Sequence, residues 1–218
     1  FAVAEMRARA RAYTGAFSAH TDNFEVLFAS KALPVTAAYR LFAEEGLSVD
    51  VASGGELTMA LAAGYSPERI YMHGNNKTDA ELELAASAGV GHLILDSFDE
   101  IERCERVLTR DQDVLIRVTP GIKPSTHSYI QTGQMDSKFG FGLENGSAAK
   151  AIERVLASDR LNLVGLHFHI GSQIFESDGF AEAAHRLFAL HAELLKGGPV
   201  PELNLGGGFG IAYTSVDD

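Results

Sequence analysis

The residues of this chain with the most chemical potential fall at the ends of apolar runs. Lys31 closes "FEVLFASKALP", Asp50 sits in "SVDVASGGE", and "HGNNK" spans His73 to Lys77. Arg117 comes late in "DVLIRVTPG". His167, His169, Ser172 and Gln173 lie in "LHFHIGSQ", and "LNLGGGFG" carries Gly206, Gly207 and Gly208. A lysine is almost never fully buried without a partner. A cation where a strand leaves the core therefore asks for a reason. Its bland explanation is a side chain whose stem lies on apolar surface while its amine reaches water.

Three glycines can be a tight turn, or they can let backbone N–H groups close around a phosphate, with Ser172 adding a hydroxyl. On a regular strand His167 and His169 share a face, because side chains alternate with period two. Two histidines so placed could bind zinc, but zinc needs three or four ligands. His73 and His127 make no convincing third ligand. A strand-end lysine, a histidine able to stack on a ring, a glycine loop for phosphate and a nearby arginine together fit pyridoxal 5'-phosphate (PLP). That cofactor needs an amine for its Schiff base, a phosphate cup, a wall for its ring and a partner for its pyridine nitrogen. A desolvated site would lower the lysine pKa and release the neutral amine that attacks an aldehyde.

Positioning these residues is the task of alternating strands and helices. Strand runs fall at residues 26–30, 48–53, 70–74, 92–96, 113–119, 163–169 and 202–206. Several are apolar throughout, as buried parallel strands are, and 26–30 reads as one of them. "GELTMALAAGY", "KTDAELELAASAG" and "SFDEIERCERVL" have helical spacing. Ser97 and Glu100 form a capping-box pair, and Gly64 and Gly89 stand where C-terminal caps belong. Residues 178–196 place Phe180, Ala184, Leu187, Leu190 and Leu194 on one helical face. The connection 120–145 lacks periodicity. Seven β/α units give an α/β class, either a doubly wound sheet or a (β/α)8 TIM-type barrel. In both, active sites lie at the carboxyl ends of the strands. Only eight residues follow "LNLGGGFG", so a barrel would lack its last strand.

The chain has 218 residues, 46% hydrophobic and 22% charged, with a formal net charge of −11. That length suits one large domain or two small ones. Its acidity argues against nucleic acid or an anionic membrane as partner, and no apolar run reaches transmembrane length. "FAVAEMRARARAY" reads as an amphipathic helix rather than a signal peptide. The single cysteine, Cys104, fits a reducing cytoplasm and a structural place on its helix.

"FASKAL", "VDVASGGEL", "ERIYMHGNNK", "GVGHLILDS", "SKFGF", "GLHFHIGSQIF" and "LNLGGGFGI" resemble, in order, the diaminopimelate decarboxylases, over nearly the whole chain. The "THSYIQTGQMDSKFGF" segment resembles their bacterial, particularly actinobacterial, branch. These enzymes are barrel-type PLP decarboxylases, as are those for ornithine and arginine. The resemblance implies a PLP-binding barrel over 1–218, incomplete at its C-terminal strand. It implies conversion of meso-2,6-diaminopimelate to L-lysine and CO2, in a cytoplasmic homodimer acting on a small amino acid. By position, Lys31 would carry the Schiff base and His169 would stack on the ring. Ser172 and Gly206–Gly208 would hold the phosphate, with Asp50 and Arg117 near the cofactor. Lys138 would be a supporting residue and His167 a weaker site candidate.

The family's "EPGR"-like and "CES"-type motifs and its C-terminal β-domain find no counterpart in these residues, which leaves open whether this piece acts alone. Residues 125–135 could contribute to the distal end of the substrate. A non-catalytic PLP-binding barrel, an ornithine/arginine-type decarboxylase, a relative of alanine racemase and a metal-dependent barrel hydrolase are the alternatives.

Overall fold

The structure is a computed structural model that describes residues 2–121, 139–196, 198 and 200–213. It divides into two compact units, Phe1–Leu93 and Ile94–Asp218. The first runs α1 (Val3–Ser18), β1 (Leu27–Ala29), a 3-10 turn (Ser30–Ala32), α2 (Thr36–Glu44), β2 (Ser48–Val51) and α3 (Gly54–Ala63). It continues through β3 (Ile70–Met72) and α4 (Asp79–Ala88) into β4 (His92–Leu95). Its strands pair in parallel, β1 with β2, β2 with β3 and β3 with β4.

Residues on both faces of β3 are buried, as the unbroken apolar run predicts, while on β2 the half-buried Asp50 interrupts Val49 and Val51. β1 departs from expectation. Leu27 and Phe28 are half-buried and Ala29 is exposed, because among the described residues this strand is at the edge of the sheet and pairs with β2 alone. The fully buried residue is Ser30, just past its end. Helix α1 forms where the sequence places it, but its fully buried surface is Ala10 alone. Arg7 and Arg11 tie it to Glu44 and Glu45, at 2.5 and 2.6 Å for Arg7 and 2.6 Å for Arg11.

The second unit contains α5 (Phe98–Val107), β5 (Gln112–Thr119), β6 (Phe141–Gly142), α6 (Ser147–Leu156), β7 (Leu161–His167), α7 (Asp178–Leu195) and β8 (Glu202–Asn204). β5 pairs in parallel with β7, and β7 with β8. The two-residue β6 joins β5 at Val118 and Thr119, inside the connection that has no periodicity. Two residues are too few to show one. Residues 125–135, His127 and Lys138 lie outside the described residues. Cys104 is fully buried on α5. On α7 the deepest residues are Ala183 and Leu187, with Phe180, Ala184, Leu190 and Leu194 half-buried beside them.

The helix starts refine the capping pattern. Ser97 accepts the Glu100 N–H at 3.2 Å, but the buried Glu100 carboxylate takes the Asp96 N–H at 2.7 Å instead of closing a box. Ser53 and Glu56 repeat that arrangement, with Glu56 on the Ala52 N–H at 2.9 Å. The reciprocal capping box is at Thr78 and Glu81. Gly64 and Gly89 are left-handed C-caps, as expected.

Candidate cofactor site

In each unit the candidate residues gather at the carboxyl ends of the strands. In the first, Lys31 lies in the 3-10 turn that follows β1. Buried Ser30 anchors this turn, donating its hydroxyl to Glu56 Oε2 at 2.6 Å. The Lys31 side chain itself is exposed, and among the described residues no hydrogen bond or ion pair holds its amine. The desolvation expected around this lysine is therefore not supplied by its immediate surroundings: the burial stops one residue short, at Ser30.

Register sets Asp50 between Ala29 and Tyr71. Its Oδ2 lies 3.6 Å from Nε2 of His73, the first residue past β3, so two separately noted residues meet. "HGNNK" closes on itself. Buried Lys77 donates to the Gly74 carbonyl at 2.9 Å. Gly74 has φ 108°, and a Cβ there would stand 2.8 Å from the Ala52 carbonyl.

In the second unit, register aligns Arg117 with His167 and His167 with Asn204, a row across β5, β7 and β8. Buried Arg117 pairs with buried Asp96 at 3.2 Å and lies 4.6 Å from the Phe139 ring centre. The other Asp96 oxygen accepts the Gly140 N–H at 3.0 Å. His167 Nδ1 is 3.0 Å from Asn204 Oδ1, which also accepts the Gly206 N–H at 2.9 Å. Burial, then the Arg117 cation, pushes the His167 pKa well below its usual value, so the ring is neutral at pH 7.

The sequence reading passed over Asp96 and Asn204. "LILDS" could have pointed to Asp96 as a carboxylate closing an apolar strand. Asn204 offered no comparable signal. β7 ends at His167, so strict alternation does not extend to His169; the first histidine is buried and the second half-buried. Among the described residues no group of three histidine, cysteine or acidic side chains could hold a metal.

The glycines follow Asn204 directly. Gly206 and Gly208 have φ 69° and 101°, and a Cβ on them would stand 2.2 Å from the Phe168 carbonyl and 1.9 Å from that of Gly171. A Cβ on Gly208 would also come within 3.2 Å of the His169 ring. Gly207 differs, with nothing within 4 Å. Ile174 donates to Gly208 O at 3.0 Å, Gly210 donates to Ile174 O at 2.9 Å, and Gln173 bonds both polar backbone groups of Ile211. Gln173 is thus a strap for the loop. Among the described residues, neither the Gly207 nor the Gly208 N–H has an acceptor. A pinned loop with two adjacent donors and open space at its centre fits a phosphate group, and exposed Ser172 adds a hydroxyl on the neighbouring segment. A shallow cavity of about 310 Å³, lined by Asp111, Asp113, Arg160 and Asn162, is at the opposite, amino ends of β5 and β7.

Parallel strands, a strand-end lysine and a glycine loop suited to phosphate define a β/α cofactor-binding domain. The chain belongs to the pyridoxal-dependent decarboxylases: residues 3–218 match their pyridoxal-binding domain. It is 47% identical to diaminopimelate decarboxylase of Bacillus subtilis over 99% of this chain and 50% of that one. Identity to the Mycobacterium tuberculosis enzyme is 44%, over 98% and 49% of the two chains. The chain thus spans about half the length of these relatives.

Among solved structures, diaminopimelate decarboxylase from Helicobacter pylori complexed with L-lysine matches 97% of this chain and 54% of its own. Its TM-score is 0.87 at 30% identity. The lysine/ornithine decarboxylase from Vibrio vulnificus complexed with putrescine matches 97% of this chain and 53% of its own at 0.76 and 25%. The fold is therefore the incomplete PLP-binding barrel domain expected from the sequence, and the cofactor is PLP.

Proposed function

We propose that this chain is the PLP-binding part of a diaminopimelate decarboxylase, which converts meso-2,6-diaminopimelate to L-lysine and CO2. One observation carries the cofactor reading: the pinned glycine loop, in which the Gly207 and Gly208 N–H groups have no acceptor among the described residues. The substrate rests on 44–47% identity to diaminopimelate decarboxylases across nearly the whole chain, against the lower similarity to the lysine/ornithine enzyme.

Within 1–218, taken as one PLP-binding domain, Lys31 supplies the amine that attaches the cofactor. Exposed in its turn, its amine would be accessible to an incoming amino group and could hold or return a proton. His169 would stand against the ring, and Ser172 with Gly206–Gly208 would hold the phosphate. Asp50 and Arg117 place negative and positive charge near the cofactor. Bound PLP serves as the electron sink for the pair left when the bond from the α-carbon to the carboxylate breaks. A proton then replaces the carboxylate at that carbon. The whole enzyme acts as a cytoplasmic homodimer.

The test is an absorbance spectrum of the chain with added PLP, before and after borohydride, beside K31A. A visible band that borohydride fixes onto Lys31, absent from K31A, is the expected result. Since Lys31 is exposed, K31A should unfold within about 0.5 kcal/mol of wild type. An equal band in both proteins would remove Lys31 from the reaction.

A further inference from the structure

Asn204 occupies the junction between the buried row and the glycine loop. Its side-chain oxygen is 2.9 Å from the Gly206 backbone nitrogen. That N–H can only donate, so the amide is oriented with oxygen, not nitrogen, toward the loop. The same oxygen is 3.0 Å from His167 Nδ1, which must then donate too. One unambiguous backbone donor fixes the side-chain amide, and the amide fixes the histidine tautomer with its proton on Nδ1.

The rest of the row favours this state. Arg117 on β5 faces His167 in register, with its charge balanced by Asp96, and His169 is the other titratable group acting on the ring. A second positive charge on His167 would oppose both. Backbone pairing holds the junction from the other side, through the Phe168 N–H on Asn204 O at 3.1 Å.

We infer that Asn204 and the Nδ1–H tautomer of His167 are positioning residues for the glycine loop: together they hold the Gly206 N–H and so set the Gly207 and Gly208 amides to receive a phosphate monoester. This rests on the cofactor reading above and goes past it. His167 acts through Asn204 on the loop and does not itself meet the phosphate. The buried row thereby becomes the foundation of the anion site.

Imidazole ¹⁵N NMR of the whole chain, with the His167 signal assigned by its loss in H167N, is the first measurement. The proton should sit on Nδ1, and the ring should titrate below its ordinary value of 6.5. A proton on Nε2, or titration near 6.5, overturns the inference. Amide exchange at Gly206 should be protected in wild type, unprotected in N204L and protected again in N204D, whose carboxylate can accept both N–H groups. In N204D the added negative charge should also raise the His167 pKa.

Inorganic phosphate and PLP should each shift the Gly207 and Gly208 amide signals, with phosphate binding weakened about tenfold in N204L. Unchanged protection and binding in N204L would overturn the inference. Wild type with the stated tautomer and protection, but no response to either anion, would uphold the His167–Asn204 pair and overturn the phosphate reading beneath it. Should N204L fail to fold, the wild-type tautomer and Gly206 protection decide by themselves.

Discussion

The two units handle charge at their strand ends in opposite ways. In the first, Lys31 is exposed and the half-buried Asp50–His73 pair is long, at 3.6 Å. In the second, buried Asp96 and Arg117 pair with each other, and buried His167 is joined through Asn204 to the glycine loop. On the proposal above, Lys31 would exchange its covalent partner and so need freedom, and an exposed place in a turn held through Ser30 suits that role. A site for a fixed anion needs donors already in place, which favours a rigid buried scaffold.

The largest effect that could break this contrast comes from removing one carboxylate in each unit. D96A removes the buried carboxylate paired with buried Arg117 and should cost about 3–5 kcal/mol. D50A, at the longer, half-buried Asp50–His73 pair, should cost less, about 1 kcal/mol. Urea unfolding of both variants measures this, and equal costs would erase the distinction.

Within the second unit, the glycines should separate stability from binding. G208A drives a Cβ against the Gly171 carbonyl at a left-handed φ and should cost about 1–3 kcal/mol. G207A meets open space and should stay within about 0.5 kcal/mol of wild type while weakening PLP retention. Thermal melts beside equilibrium dialysis against PLP would show both.

The smallest effects are in the pH dependence. In the second unit the lowered pKa of His167 means that the unfolded chain takes up a proton which the folded chain refuses. Its contribution to stability is complete above the ordinary value of 6.5 and declines as pH falls below it. H167N should flatten stability against pH in that window. In the first unit, Arg11 and Arg7 lower the Glu45 pKa from 4.5 to about 2. The advantage of wild type over E45Q should hold above 4.5 and shrink as pH falls toward 2. Denaturant midpoints at several pH values would locate both windows.

Much of the frame was legible because local chemistry dictates it. Buried parallel strands read as apolar runs, and a left-handed helix end calls for glycine, which is why Gly64 and Gly89 could be placed. Thr78 and Glu81 carried an equally legible capping signature. The Ser97–Glu100 spacing looked the same, yet Glu100 turned to the Asp96 N–H, because a local motif does not state which nearby donor is nearest. β1 read as buried and proved half-exposed, since an apolar run does not reveal that its strand is at a sheet edge.

The sequence by itself determined the order of strands and helices, the strand-end placement of Lys31, Asp50, Arg117 and the glycines, and the family, because these depend on residues close together in the chain. Only the tertiary structure decided that Arg117 meets Asp96, 21 residues away, and that His167 meets Asn204, 37 residues away. Partners so far apart are chosen by strand register and by the need to satisfy each buried polar group. Neither is written in any short stretch of the chain.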